Sequence, residues 1–302
     1  MAALFILPLP RRGMQVVCDF AAAAMYALDG RGRRRSLENL RLLLGSDAAP
    51  GTPATARERL LVRGSYRNMA RAVGHALWTC WRARQRVEAA GEMSPEGKRL
   101  LAAHRPVIAV SGHIGCWEIL SQLAFLEGHR MMSVAKDIGT KGMTRLLMKA
   151  RTSIGQEIVP AEGAFRPLMQ GLREGKSLGL LVDQKVRPKH GGVWIRFLGR
   201  PMPVSAAPAF FAAKGKATAL VAWSRPLRDG RYRCEIVSVH GPDEARDIWG
   251  FTQTCARELE CVIRRHPSKW VLNYNYFSNT PREDDLKTLA GREAKAAGEG
   301  VR

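Results

Sequence analysis

The residues best placed to do chemistry lie in one short run, Val107-Ile-Ala-Val-Ser-Gly-His-Ile-Gly-Cys-Trp-Glu118. A buried strand ends, a glycine-bearing turn presents His113, and a helix begins near Trp117. In α/β sheets, ligands and reactive groups gather at such carboxyl ends of strands. An imidazole held on one nitrogen by a carboxylate keeps the other nitrogen free to take a proton. Glu118 is the nearest carboxylate in sequence. Five residues along a regular helix turn about 140°, so His113 and Glu118 meet only if His113 sits in the turn before the helix. Gly112 and Gly115 make that turn feasible. Cys116, three residues from His113, offers the competing arrangement of a Cys–His nucleophile. Without any of these neighbours, His113 would read as an ordinary turn histidine.

A second strand end carries polar residues. Leu178-Gly-Leu-Leu-Val182 is a buried strand, and Asp183 and Gln184 follow it, facing either the same cleft or a loop.

The elements around these residues define the fold class. From Arg105 onward, short apolar strands alternate with helices. The strands are Val107–Val110, Met131–Ala135, Ile158–Pro160, Leu178–Val182, Ala219–Trp223, Arg231–Val239 and Trp270–Tyr276. The helices are Trp117–Leu126, Lys141–Ile154, Ala164–Arg173, Ser205–Lys214 and Asp247–Arg265. This alternation implies an α/β domain whose central, mostly parallel or mixed sheet is flanked by helices. N-terminal helices precede it. Ser36 is placed to cap one that Gly45 stops, and a longer one runs from about Ala54 toward Gln85. The longer helix has an apolar stripe (Val62, Tyr66, Met69, Val73, Leu77, Trp81) and an arginine stripe at Arg59, Arg63, Arg67 and Arg71.

Composition narrows the partners. The chain has 302 residues, and 48 Lys+Arg against 27 Asp+Glu give +21 at pH 7. The apolar fraction of 46% is enough for a globular core and excludes general disorder. The charge points to a polyanion: nucleic acid, an anionic membrane surface or an acidic carrier. No nucleic-acid or nucleotide motif accompanies it. The six cysteines have no C-x-x-C pair and read as free thiols. The run Val16–Leu28 is interrupted by Asp19 and falls short of the about 20 apolar residues a membrane span needs. With Arg31, Arg33, Arg34 and Arg35 following, it reads either as a helix lying in the membrane interface or as a buried core helix.

The motif blocks resemble a known family. His113, four residues, then Glu118 is similar to the H-x4-[D/E] motif of glycerolipid acyltransferases. Ser-Gly-His-Ile-Gly-Cys-Trp-Glu resembles the H-x-G-x-W-E block of the bacterial lipid A late acyltransferases, the lauroyl/myristoyl type. Leu181-Val-Asp-Gln184 resembles that family's D-Q strand end, and Val193-Trp-Ile-Arg-Phe-Leu-Gly-Arg-Pro201 its F-x-G-x-P segment. Glu38-Asn-Leu40 and Ser65-Tyr-Arg-Asn68 resemble its N-terminal helical region. Cys116 departs from the asparagine common in the family motif, and the family's usual N-terminal spanning helix is missing.

The resemblance implies acyl transfer from an acyl-carrier-protein or coenzyme A thioester to a hydroxyl of a lipid acceptor of the lipid A precursor type. His113 would be the general base and Glu118 its orienting carboxylate. Arg151, Lys136, Asp183, Gln184 and Arg200 would bind substrate. Neither metal nor cofactor is called for. The alternatives are another lipid acceptor (a lysophospholipid, aminolipid or glycolipid) or an inactive basic membrane- or nucleic-acid-binding protein. The expected organisation is a membrane-interface segment over 1–35, an acyltransferase domain over 36–280 and a flexible polar tail over 281–302. The expected place of action is the cytoplasmic face of the inner membrane, with no nucleic-acid partner.

Overall fold

A computed structural model describes residues 8–49, 51–135 and 141–299. Three helices lead: α1 (Arg11–Leu28), α2 (Gly30–Leu44) and α3 (Ala56–Trp78). Helix α3 starts at a reciprocal cap, in which Thr55 accepts from the Glu58 N–H and Glu58 accepts from the Thr55 N–H. Helix α1 lies against α3 at close range. A Cβ on Gly74 would come within 2.2 Å of Cys18 Sγ, so only glycine allows this approach. Arg71 fixes the pair through a two-pronged contact with Asp19, at 2.7 Å on each prong.

Helix α1 buries one face against α3 and leaves apolar side chains exposed on the other. Met14, Cys18 and Ala22 are buried on the α3 side. Val16, Phe20 and Leu28 are exposed at 54%, 74% and 86%.

Two boundaries in this layer differ from expectation. Helix α2 begins at Gly30, not after Ser36, because Asp29 caps it by accepting from the Gly32 N–H at 2.7 Å. Asp29 also accepts from the Tyr66 hydroxyl at 2.9 Å, so α3 holds the cap in place. The helix therefore runs through the 35/36 boundary. Helix α3 ends at Trp78, and after a left-handed Arg82 a separate helix α4 (Ala83–Ala90) begins.

Next come β1 (Gly91–Met93), α5 (Pro95–Ala103), β2 (Val107–Ser111), α6 (Trp117–Leu126), β3 (Met131–Ala135), α7 (Lys141–Thr152), β4 (Glu157–Pro160), α8 (Phe165–Arg173) and β5 (Ser177–Leu181). A hairpin of β6 (Gly192–Phe197) and β7 (Arg200–Ser205) follows. Helix α9 (Ala207–Gly215), β8 (Thr218–Pro226), β9 (Tyr232–His240), α10 (Ile248–Arg265) and α11 (Glu283–Glu299) complete the described chain.

The main sheet has seven strands in the order β1-β9-β8-β2-β5-β3-β4. Every neighbouring pair is parallel except β8 with β9. The α/β class, with a mostly parallel sheet and flanking helices, is as expected. Strand β2 lies centrally and its apolar run is covered on both faces, as parallel strands require. On one face Val107 packs with Ile119, Leu123 and Leu220 beneath α6. On the other, Ile108 and Val110 pack with Leu168, Phe211 and Leu259 from α8, α9 and α10. A third core lies under the hairpin, around Tyr66, Phe197, Met202 and Trp270.

The segment Trp270–Tyr276 is not a strand. It makes one antiparallel bridge, Ile114 to Trp270, and then turns. Side chains take over the work of a ladder. Asn39 donates to the carbonyls of Leu272 and Tyr274 at 2.7 and 2.9 Å, and Ser65 accepts from the Leu272 N–H at 3.0 Å. Within the stretch expected as a polar tail, residues 283–299 form α11. Leu289 is buried there, and Glu293 pairs with Arg196 at 2.8 Å.

Candidate active site

Strand register brings the two polar strand ends together. Ser111 of β2 pairs with Leu181 of β5. His113 and Asp183 each lie two residues beyond that pair, at the carboxyl edge of adjacent parallel strands. His113 Nδ1 lies 2.7 Å from Asp183 Oδ1, and the His113 backbone N–H donates to Asp183 Oδ2 at 2.7 Å. Trp270 Nε1 donates to the same Oδ2 at 2.9 Å. Asp183 is fully buried. Burial opposes its charge, but the facing imidazole and the hydrogen bonds from His113 and Trp270 outweigh it, and the carboxyl is held below its usual range. An ionised Asp183 only accepts, so Nδ1 carries a proton, and in the neutral imidazole the lone pair is on Nε2. The Gln184 carboxamide nitrogen lies 3.4 Å from Nε2, and the Trp117 ring packs beside the imidazole with centroids 5.1 Å apart.

The expected His113–Glu118 pair does not form. Glu118 sits in the first turn of α6 and receives Arg151 on both oxygens, at 2.6 and 2.9 Å. It also accepts from Trp117 Nε1 at 3.1 Å. No hydrogen bond among the described residues joins it to His113. The turn before α6 directs His113 across the strand ends while the helix carries Glu118 toward α7. Hydrogen bonding to Glu118 outweighs the burial that opposes Arg151's charge, and its guanidinium is held more firmly protonated than usual.

The turn that presents His113 depends on glycine. Gly115 has φ +64°, and a Cβ there would lie 1.9 Å from the Ser224 carbonyl oxygen. Asn68 of α3 clamps the turn by donating to the carbonyls of Gly115 and Lys269, both at 2.8 Å. The Val271 N–H donates to the His113 carbonyl at 3.1 Å. The Asn39, Ser65 and Asn68 positions in the N-terminal motif blocks thus hold the Trp270 segment, which in turn holds Asp183.

Cys116 is fully buried in the core beneath α6, and burial pushes its thiol far above the ordinary range. Its side chain packs into the core and does not line the cleft, a placement that does not suit the Cys–His alternative. Arg151 and Gln184 line the same cleft as His113. Arg200 is exposed at the start of β7, with its guanidinium 6.0 Å from the Phe277 ring, and does not line the cleft. Lys136 lies outside the described residues. The features that reasoning from sequence missed are Trp270, Asn68 and the contact of Asp183 with His113. Equal offsets of His113 and Asp183 from two buried strands were the one available signal.

The cleft holds about 2200 Å³, well beyond the roughly 300–1,000 Å³ of a small-molecule site. Beneath α6 it is walled by Leu101, Ala109, Leu120, Leu220 and Ile236. Fold and site together define an α/β protein with a histidine–aspartate pair at the mouth of a long apolar cleft. Such a pair has the geometry to accept a proton from a bound hydroxyl. The chain belongs to the bacterial lipid A biosynthesis acyltransferase family, whose pattern it matches over residues 1–277. Its general activity is therefore acyl transfer. No curated protein matches the chain.

Proposed function

We propose that the protein moves a fatty acyl chain from an acyl-carrier-protein or coenzyme A thioester to a hydroxyl of a lipid A precursor type acceptor. The contact between His113 Nδ1 and Asp183 at the mouth of the apolar cleft carries this reading. His113 Nε2 takes the proton as the acceptor oxygen attacks the thioester carbonyl carbon. Collapse of the tetrahedral intermediate breaks the carbon–sulfur bond, and the leaving thiolate receives the proton from Nε2. An ester and a free thiol result, with the imidazole returned to its starting tautomer. Asp183 holds that tautomer and stabilises the transient imidazolium. Glu118 and Arg151 form a neutral, rigid wall beside it. The acyl chain lies in the apolar part of the cleft beneath α6.

The acceptor reaches the cleft from a membrane surface, at the cytoplasmic face of the inner membrane in our reading. No helix among the described residues is long and apolar enough to cross a bilayer. The exposed apolar face of α1, with Val16, Phe20 and Leu28 above Arg31 and Arg34, suits an interfacial position. Of the α3 arginine stripe, Arg71 is used internally by Asp19, while Arg59, Arg63 (over the Tyr26 ring) and Arg67 are the exposed charges toward lipid.

Purified protein, an acyl thioester and extracted lipids test the assignment. His113→Ala is expected to remove about 10²–10⁴-fold of the turnover while keeping the folded circular-dichroism spectrum. Turnover unchanged in that variant sinks the general-base role. Mass spectrometry of the product identifies the acceptor, and acylation of a lysophospholipid, aminolipid or glycolipid instead would replace the lipid A assignment.

A further inference from the structure

Three cations line the mouth of the cleft without acidic partners. They are Arg35 of α2, and Lys185 and Arg187 in the loop after β5. Among the described residues, no carboxylate forms an ion pair with any of them. Three other inward cations are closely paired, in Arg41–Glu58, Arg71–Asp19 and Arg151–Glu118. Arg35 and Lys185 are held by neutral partners. Arg35 donates to the Asn273 carbonyl at 3.3 Å. Lys185 donates to the Ser278 hydroxyl, and its ammonium lies 5.9 Å from the Tyr274 ring centroid. Burial first, then the nearby Arg187 and Arg35, push the Lys185 ammonium below its usual range, as expected of cations crowded on one spot. Crowded like charges are unfavourable until an anion arrives. A phosphate, with several acceptor oxygens, suits such a set. Lys185 directly follows Gln184, whose amide contacts His113, so the cluster flanks the reacting atoms.

We infer that Arg35, Lys185 and Arg187 form a subsite for a phosphate group carried by one of the two substrates. The inference rests on the acyl-transfer reading and adds the substrate's anionic handle to it. The phosphate comes either from the lipid acceptor's headgroup or from the pantetheine-phosphate arm of the donor. Arg151 is not its receptor, because Glu118 already neutralises that guanidinium.

The test uses full-length Lys185→Ala/Arg187→Ala and Arg35→Ala, with Lys185→Arg as the conservative variant and Lys189→Ala as a control. Lys189 is an exposed cation of the same loop that does not line the cleft. Pyrophosphate binding by calorimetry should weaken at least about tenfold in the double variant, recover in Lys185→Arg and stay unchanged in Lys189→Ala. In turnover assays, KM for the phosphate-bearing substrate should rise about tenfold or more with kcat nearly unchanged. A rise confined to the coenzyme A thioester, absent with the phosphate-free pantetheine thioester, assigns the group to the donor. A rise confined to a phosphorylated acceptor, absent with its dephosphorylated form, assigns it to the lipid. Unchanged pyrophosphate binding, or equal weakening of phosphate-bearing and phosphate-free substrates, overturns the subsite. Failure of the wild-type protein to move an acyl group from either thioester to any extracted lipid overturns the acyl-transfer reading instead, so the two failures are distinct.

Discussion

Replacing Asp183 by asparagine separates the two candidate orienting carboxylates. Three N–H donors converge on this side chain: the His113 backbone and Trp270 Nε1 on Oδ2, and His113 Nδ1 on Oδ1. Asparagine has only one acceptor oxygen. The Oδ2 position faces two donors that cannot change, so the amide oxygen settles there. The amide NH2 then faces His113 Nδ1, and two donors cannot share that contact. The imidazole answers by moving its proton to Nε2, which leaves no lone pair toward the acceptor hydroxyl. General-base assistance is worth about 10²–10⁴-fold, or roughly 2.7–5.4 kcal/mol at 1.36 kcal/mol per decade. Asp183→Asn should lose that much in kcat. Stability should fall by only about 1–3 kcal/mol, the scale of one compromised buried hydrogen bond. Nitrogen-15 NMR of the His113 ring should report the Nδ1–H tautomer in wild type and the Nε2–H tautomer in the variant. Glu118→Gln should leave the wild-type tautomer in place, since its partner is Arg151. A wild-type rate in Asp183→Asn would refute this reasoning, as would a tautomer change in Glu118→Gln.

Other consequences follow from single groups. His75 is fully buried, its Nε2 2.9 Å from Gln122 Oε1, and burial holds its pKa down at about 4. The unfolded chain, near 6.5, then binds more protons, so stability is whole above about pH 6.5 and falls as pH drops toward 4. The loss should total about 3 kcal/mol, read by urea unfolding at pH 7 and pH 4, and His75→Gln should flatten that slope. Gly115→Ala puts a Cβ into the Ser224 carbonyl at a left-handed backbone, so melting should show about 1–3 kcal/mol of destabilisation together with lost turnover. Phe20→Asp alters a side chain that is 74% exposed. It should leave the melting temperature unchanged yet weaken sedimentation with anionic vesicles by roughly tenfold or more, the worth of one inserted aromatic. High salt should weaken the same binding. Salt-insensitive binding would assign it to the apolar face of α1 alone.

The elements that could be read from sequence were those defined by local periodicity. Trp117–Leu126 and Met131–Ala135 have the boundaries their patterns predict. A helical stripe or a short apolar run is encoded within the segment itself. Elements whose hydrogen bonds go elsewhere were misread. Trp270–Tyr276 has the β-branched and aromatic composition of a strand, yet Asn39 and Ser65 take up its backbone groups. Helix α2 starts early because Tyr66, from another helix, steadies the Asp29 cap. The stretch after Pro281 is polar, yet Arg196 and the core beside the hairpin give α11 a place to dock.

By itself, the sequence determined the α/β class and the family, and it singled out His113, Asp183 and Glu118 as candidates. Strand–turn–helix punctuation and ordered motif blocks are local and survive without coordinates. Only the tertiary structure decided which carboxylate serves the histidine. Glu118 is five residues away, but a helix turns it aside to Arg151. Asp183 is seventy residues away, but the β2–β5 register sets both strand ends level and leaves 2.7 Å between the two side chains. Separation along the chain measures the cost of closing a loop, whereas catalysis depends on where parallel strands end.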